Sequence, residues 1–119
     1  MHRYTGSFKS DMYKDSNVHG ELSIELPDDL SSNFKTKLTL KYLGYYRHND
    51  ESTIDFNSAE KSMTQSGIAM YGTLDRETDQ TITFRVLEIN KTDTDIRLTG
   101  TYYTSNPVDN GTFELHTQR

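Results

Sequence analysis

Hydrophobic and polar residues alternate with period two along most of this chain. In HGELSIEL, Leu22, Ile24 and Leu26 fall on one face and Glu21, Ser23 and Glu25 on the other, the pattern of a strand with one wet side. The run FKTKLTLKY sets Phe34, Thr36, Leu38, Leu40 and Tyr42 against Lys35, Lys37, Thr39 and Lys41. A helix would scatter those lysines over its apolar face, so the pattern selects a strand. The same reading groups Tyr4, Gly6 and Phe8; Ile54 and Phe56; Ile68, Met70, Gly72 and Leu74; Ile82, Phe84 and Val86; Ile96, Leu98, Gly100 and Tyr102; and Phe113, Leu115 and Thr117. After Val86 the alternation slips, and Leu87 and Ile89 point the wrong way unless a bulge intervenes or both faces are covered there.

Turn-forming residues separate the runs: Pro27-Asp28-Asp29, His48-Asn49-Asp50, Asp75 to Asp79, Asn90 to Asp95 and Asn106 to Gly111. About eight antiparallel strands result. SDMYKDSNV and NSAEKSMTQS resist assignment; each suits a loop, and the second also suits a short helix. An open meander would leave two bare edges and one uncovered face. A single closed antiparallel β-barrel over residues 1–119 removes both problems, with a two-sheet sandwich as the alternative. An eight-stranded interior is just wide enough to be filled by side chains or to hold one small ligand. Gly6, Gly72 and Gly100 fall at inward positions, where a small barrel bends or a bulky neighbour needs room. The closing stretch then reads as a hairpin: a strand ending in Tyr102-Tyr103-Thr104, a reversal in which Gly111 tolerates positive φ, and a last strand that runs back against the first.

Composition agrees with this architecture. The chain has 119 residues, 8 Tyr, 5 Phe, no Trp and a low hydrophobic share of 32%, so aromatics must supply much of the core. Net charge is −5, which disfavours a sequence-independent grip on duplex nucleic acid while leaving room for a small anionic ligand in a local basic pocket. Without cysteine there is no disulfide, thiolate metal site or Cys nucleophile. No apolar run approaches the roughly 20 residues of a membrane span, and MHRYTGSFKS has no signal-peptide stretch. Its abrupt start suits a soluble domain cut from a longer protein.

Few residues carry chemistry. His2, His19, His48 and His116 are isolated, with no metal-ligand spacing, and read as surface histidines. Asn90, Asp93 and Asp95 resemble the start of a calcium loop but lack its Gly and closing Glu, which leaves a hairpin turn. The sequons at Asn90 and Asn110 come without an export signal. For catalysis the inward faces offer only Glu88, on an uncertain register, so neither an enzyme nor a cofactor is expected. Arg85 and Arg97 are expected on the outer surface, cross-strand from acidic or Thr neighbours. The tyrosines are the candidate binding set: Tyr4, Tyr42 and Tyr102 face inward, while Tyr45 and Arg47 follow Gly44 at a strand end. A tyrosine joins a stacking face to a hydroxyl and suits a flat polar ligand such as a nucleobase; it also suits simple core filling.

Leu98-x-Gly-x-Tyr-Tyr-Thr104, a short polar loop, Gly111-x-Phe-x-Leu115 and the terminal Arg119 resemble the end of the β-barrel domain in the two-transmembrane, β-strand-rich effectors of bacterial CBASS antiphage systems. Gly67-Ile-Ala-Met is similar to that family's preceding G-x-A stretch. The resemblance implies a cytosolic barrel that binds a cyclic dinucleotide, oligomerises, and acts on the inner membrane through two helices this chain does not contain. The other expectation is a structural or protein-interaction barrel with a filled core and no small-molecule ligand.

Overall fold

A computed structural model describes residues 1–12, 18–30, 32–44, 48–56, 62–64, 67–75, 80–105 and 108–118. The strands are β1 (His2–Ser10), β2 (His19–Leu26), β3 (Phe34–Leu43), β4 (His48–Phe56), β5 (Ser62–Thr64), β6 (Gly67–Asp75), β7 (Gln80–Lys91), β8 (Asp95–Thr104) and β9 (Asp109–Gln118). They pair in the order β4-β3-β2-β1-β9-β8-β7-β6-β5, and a further β4–β6 pairing closes the sheet. The fold is all-β: a single closed antiparallel barrel of eight strands, with short β5 appended to β6. No helix of the described residues is long and apolar enough to cross a membrane.

The last strand returns to the first as the alternation requires. β9 pairs with β1 from Thr5↔His116 to Ser10↔Gly111. The other junction is much narrower: β4 meets β6 only through Asp55↔Thr73 and Phe56↔Gly72. There β5, in the segment that also suits a short helix, takes up pairing with β6 at Ser62↔Ala69, Met63↔Ile68 and Thr64↔Gly67.

Inward residues form one cluster. Leu22, Ile24, Leu26, Leu38, Ile54, Phe56, Met70, Ile82, Phe84, Val86, Leu98, Phe113 and Leu115 are all buried. Aromatic rings run across its centre: Phe34 to Phe56 (4.9 Å between centroids), Phe56 to Phe84 (6.4 Å) and Phe84 to Phe113 (5.2 Å, edge-on). Such contacts add about 0.5–1.5 kcal/mol each beyond area burial, which suits a core poor in aliphatics. Thr36 also points inward, and its hydroxyl donates to the Glu25 carbonyl (2.7 Å), so a buried polar group is paired.

The slip after Val86 is a β-bulge. Val86 pairs with Gly100 and Glu88 with Thr99, leaving Leu87 as the extra residue. Beyond it Leu87, Glu88 and Ile89 are exposed, and β7 continues beside β8, itself still paired with β9, past the end of the β6–β7 pairing at Ile68↔Val86. Asn90 to Asp95 is a hairpin turn, in which the Thr92 amide donates to the Asp95 carbonyl (2.8 Å). The Leu74 side chain lies outside the described residues.

Gly72 sets the narrow junction. A Cβ there would strike Cγ2 of Ile54 and approach the Phe56 ring to 3.0 Å, and both side chains are essentially fully buried. Neither has room to yield, so Gly72→Ala is expected to cost about 1–3 kcal/mol as overpacking, although alanine normally favours a strand over glycine. Urea denaturation measures the loss, and faster hydrogen exchange at Phe56 and Thr73 locates it; an unchanged midpoint would show that the junction has slack.

Candidate functional site

β1, β3, β6 and β8 end at one mouth of the barrel, where β2, β4, β7 and β9 begin. Two of the predicted tyrosines come together there. Tyr42, near the end of β3, stands edge-on to Phe8 at 5.3 Å, and Tyr102 of β8 does so from the other side at 6.0 Å. The Tyr102 hydroxyl donates to Oδ2 of Asp109 (3.1 Å), and the fully buried Ser10 hydroxyl donates to Oδ1 of the same carboxylate (2.7 Å). Asp109 therefore ties β8 and β1 to the start of β9.

Gly111 serves this cluster in a way the turn chemistry does not indicate. It lies within β9, opposite Tyr102, rather than in a left-handed turn; positive φ occurs instead at Gly44 (87°). A Cβ at 111 would strike the Lys9 carbonyl and come within 2.8 Å of the Tyr102 ring, so the bare backbone lets that ring lie against the strand.

Tyr4 belongs elsewhere. It is buried at the opposite end of the barrel, paired with Ile24, and the three inward tyrosines do not form one pocket. Tyr45 and Arg47 lie outside the described residues. Glu88 is exposed just past the bulge rather than facing the interior. His2 meets Asp28 on the surface (3.0 Å), and His116 is exposed. Among the described residues no three His, Asp or Glu side chains converge to hold a metal ion. Ser10 and Asp109, which complete the mouth, carry no sequence signal of their own because their segments read as loops. Extending the alternation of β1 by one step, and of β9 back by two, places both inward.

Burial dominates the acid–base behaviour of the inward tyrosines. It raises the Tyr102 pKa far above the ordinary value, and the Asp109 carboxylate adds to the effect by charge and by hydrogen bonding. Tyr4 is also raised, chiefly by burial and secondarily by Asp28.

The outer surface divides into two unlike halves. Over β1 to β4 opposite charges face each other across strands, as in Arg3↔Glu25, Glu21↔Lys41 and Lys35↔Asp55. Lys37 reaches Glu51 (3.2 Å), an exposed pair of the kind that adds at most about 1 kcal/mol. Over the upper part of β6 to β9 the rows read Tyr71↔Thr83↔Tyr103↔Asn110 and Ala69↔Arg85↔Thr101↔Thr112, with Arg85 the one charge among them. Arg97, lower on the same side, pairs with Glu114 (3.2 Å). Three hollows lined by described residues open outside the barrel. One of about 550 Å³ lies beside Asp95, Arg97 and His116, another of about 530 Å³ over β2 to β4, and one of about 270 Å³ between Arg85 and Tyr103.

No family model, curated protein or solved structure matches this chain. The likeness of Leu98 to Leu115 to CBASS effector barrels thus rests on those short motifs alone.

The raised tyrosines give a signed pH dependence. Free tyrosine ionises near pH 10, whereas Tyr102 keeps its proton in the fold. Its contribution is fully present below about pH 10 and is lost above it, at up to about 1.4 kcal/mol per pH unit. Tyr102→Phe is expected to flatten that alkaline loss when unfolding free energies are compared between about pH 9 and pH 11.5. Coincident slopes for the two proteins would mean that Tyr102 ionises freely in the folded state.

Proposed function

We propose that this barrel is a non-catalytic recognition module that binds through its outer surface and uses its interior as core. One observation carries the reading: the ring chain from Phe34 through Phe56 and Phe84 to Phe113 spans the interior with centroid separations of 4.9 to 6.4 Å. Side chains thus occupy the space that a ligand enclosed by the barrel would take. The outer location of these three hollows and the exposed position of Glu88 favour the same reading.

A second reading is supported by the meeting of Tyr42 and Tyr102 at one mouth. A cyclic dinucleotide, as the CBASS resemblance implies, would stack its bases there. The Asp109 carboxylate, which accepts from Tyr102 and Ser10, puts a negative charge at that mouth, and this counts against an anionic ligand. The outer-surface reading is therefore preferred.

Thermal shift of the purified chain against a panel of cyclic di- and trinucleotides separates the two. A ligand at about a hundred times its dissociation constant adds roughly 2.7 kcal/mol, which moves the midpoint of a domain this size by several degrees. No shift is expected for any of them. A shift for one nucleotide, reduced by Tyr42→Ala or Tyr102→Ala, would move the binding function to the mouth.

A further inference from the structure

We propose that the outer face of β6 to β9 binds a neutral oligosaccharide, an assignment that rests on the reading of the barrel as a surface-binding module. Tyr71 and Tyr103 point outward from β6 and β8, with Thr83 of β7 directly between them. They remain 37% and 47% exposed, in contrast to the buried Tyr4 and Tyr102. Adjacent strands lie about 4.8 Å apart, so the two side chains spring from positions roughly 10 Å apart across the sheet. That separation matches the two-ring repeat of an extended β-linked glycan.

A hexose ring has one face of C–H bonds and a rim of hydroxyls. Tyrosine offers an apolar ring face with a polar tip, so Tyr71 and Tyr103 take the C–H faces of alternate sugars. Thr83, Thr101 and Asn110 supply side-chain donors and acceptors for the rim, and Arg85 adds planar donors. The hollow of about 270 Å³ between Arg85 and Tyr103 is smaller than the roughly 300–1,000 Å³ of drug-sized pockets and suits a single ring.

Charge decides among possible occupants. A nucleic acid strand would also stack on tyrosines, but its affinity depends on several cations along the backbone, and these rows carry only Arg85 in a chain of net charge −5. An anionic membrane surface meets the same objection. A neutral polyol needs no line of cations, whereas over β1 to β4 it would have to compete with paired charges for water.

The test uses the intact chain with cellohexaose, chitohexaose and laminarihexaose as probes, followed by calorimetry and by amide chemical shifts. Binding of at least one hexasaccharide is expected, with perturbed amides confined to β6 to β9. Tyr71→Ala and Tyr103→Ala are each expected to weaken it about tenfold, while Tyr103→Phe retains it. Thermal midpoints of the variants confirm that the barrel is intact. Absence of binding to all three at millimolar concentration, or binding unaffected by both alanine changes, overturns the assignment. A polypeptide or oligothymidylate that occupies Tyr71 and Tyr103 instead overturns the glycan but leaves an outer-surface binding module. Stabilisation by a cyclic dinucleotide that perturbs only amides around Tyr42 and Tyr102 overturns that underlying reading as well.

Discussion

Closure of the sheet is the constraint from which the other features follow. An eight-stranded meander has one inner face, and a closed sheet hides that face without any helix to cover it. The ends of the chain meet over a long β1–β9 ladder, but in the middle β4 and β6 share only two residue pairs. At that point backbone hydrogen bonding gives way to side-chain packing, with Ile54 and Phe56 pressed over the bare Cα of Gly72. The core rings line up behind Phe56, so the narrow junction and the filled interior are parts of one arrangement.

Period-two alternation makes most of this legible in the amino-acid sequence. Lys35, Lys37 and Lys41 on one side of Phe34-to-Tyr42 fix a strand and its inner face together, and Gly72 stands out as a gap in an apolar series. The bulge at Leu87 is legible as a break in parity. What alternation does not encode is height along the barrel axis. Tyr4, Tyr42 and Tyr102 share inward parity, yet Tyr4 lies at the opposite end because β1 begins where β3 and β8 do not end. Register between distant strands sets that distance, and turn lengths alone do not determine it. Ser10 and Asp109 are hidden for a related reason: polar residues at strand ends read as loop even where they point inward and satisfy one another.

The division of the outer surface has a physical logic of its own. Opposite charges across β1 to β4 keep that half hydrated, so contact there has to displace more firmly held water. The Tyr and Thr rows of β6 to β9 hold water less strongly, so contact there requires less desolvation. Both halves use the same side-chain alternation, and only the choice of outward residue distinguishes them. Neither half alters the interior, which is why surface chemistry can diverge while the barrel is kept.

A barrel abolishes sheet edges only where neighbouring strands are equally long. β7 has 12 residues, and among the described residues its pairing with β6 ends at Ile68↔Val86, beyond which Leu87 and Ile89 are half-exposed. Such a segment is a template for aggregation by strand addition. The unpaired Leu87 adds local twist, and Glu88 and Lys91 place charges along the same stretch, so a second molecule finds no flat ladder to extend. The irregularity that breaks the alternation of β7 thus also denies that stretch the flat, regular ladder on which strand addition depends.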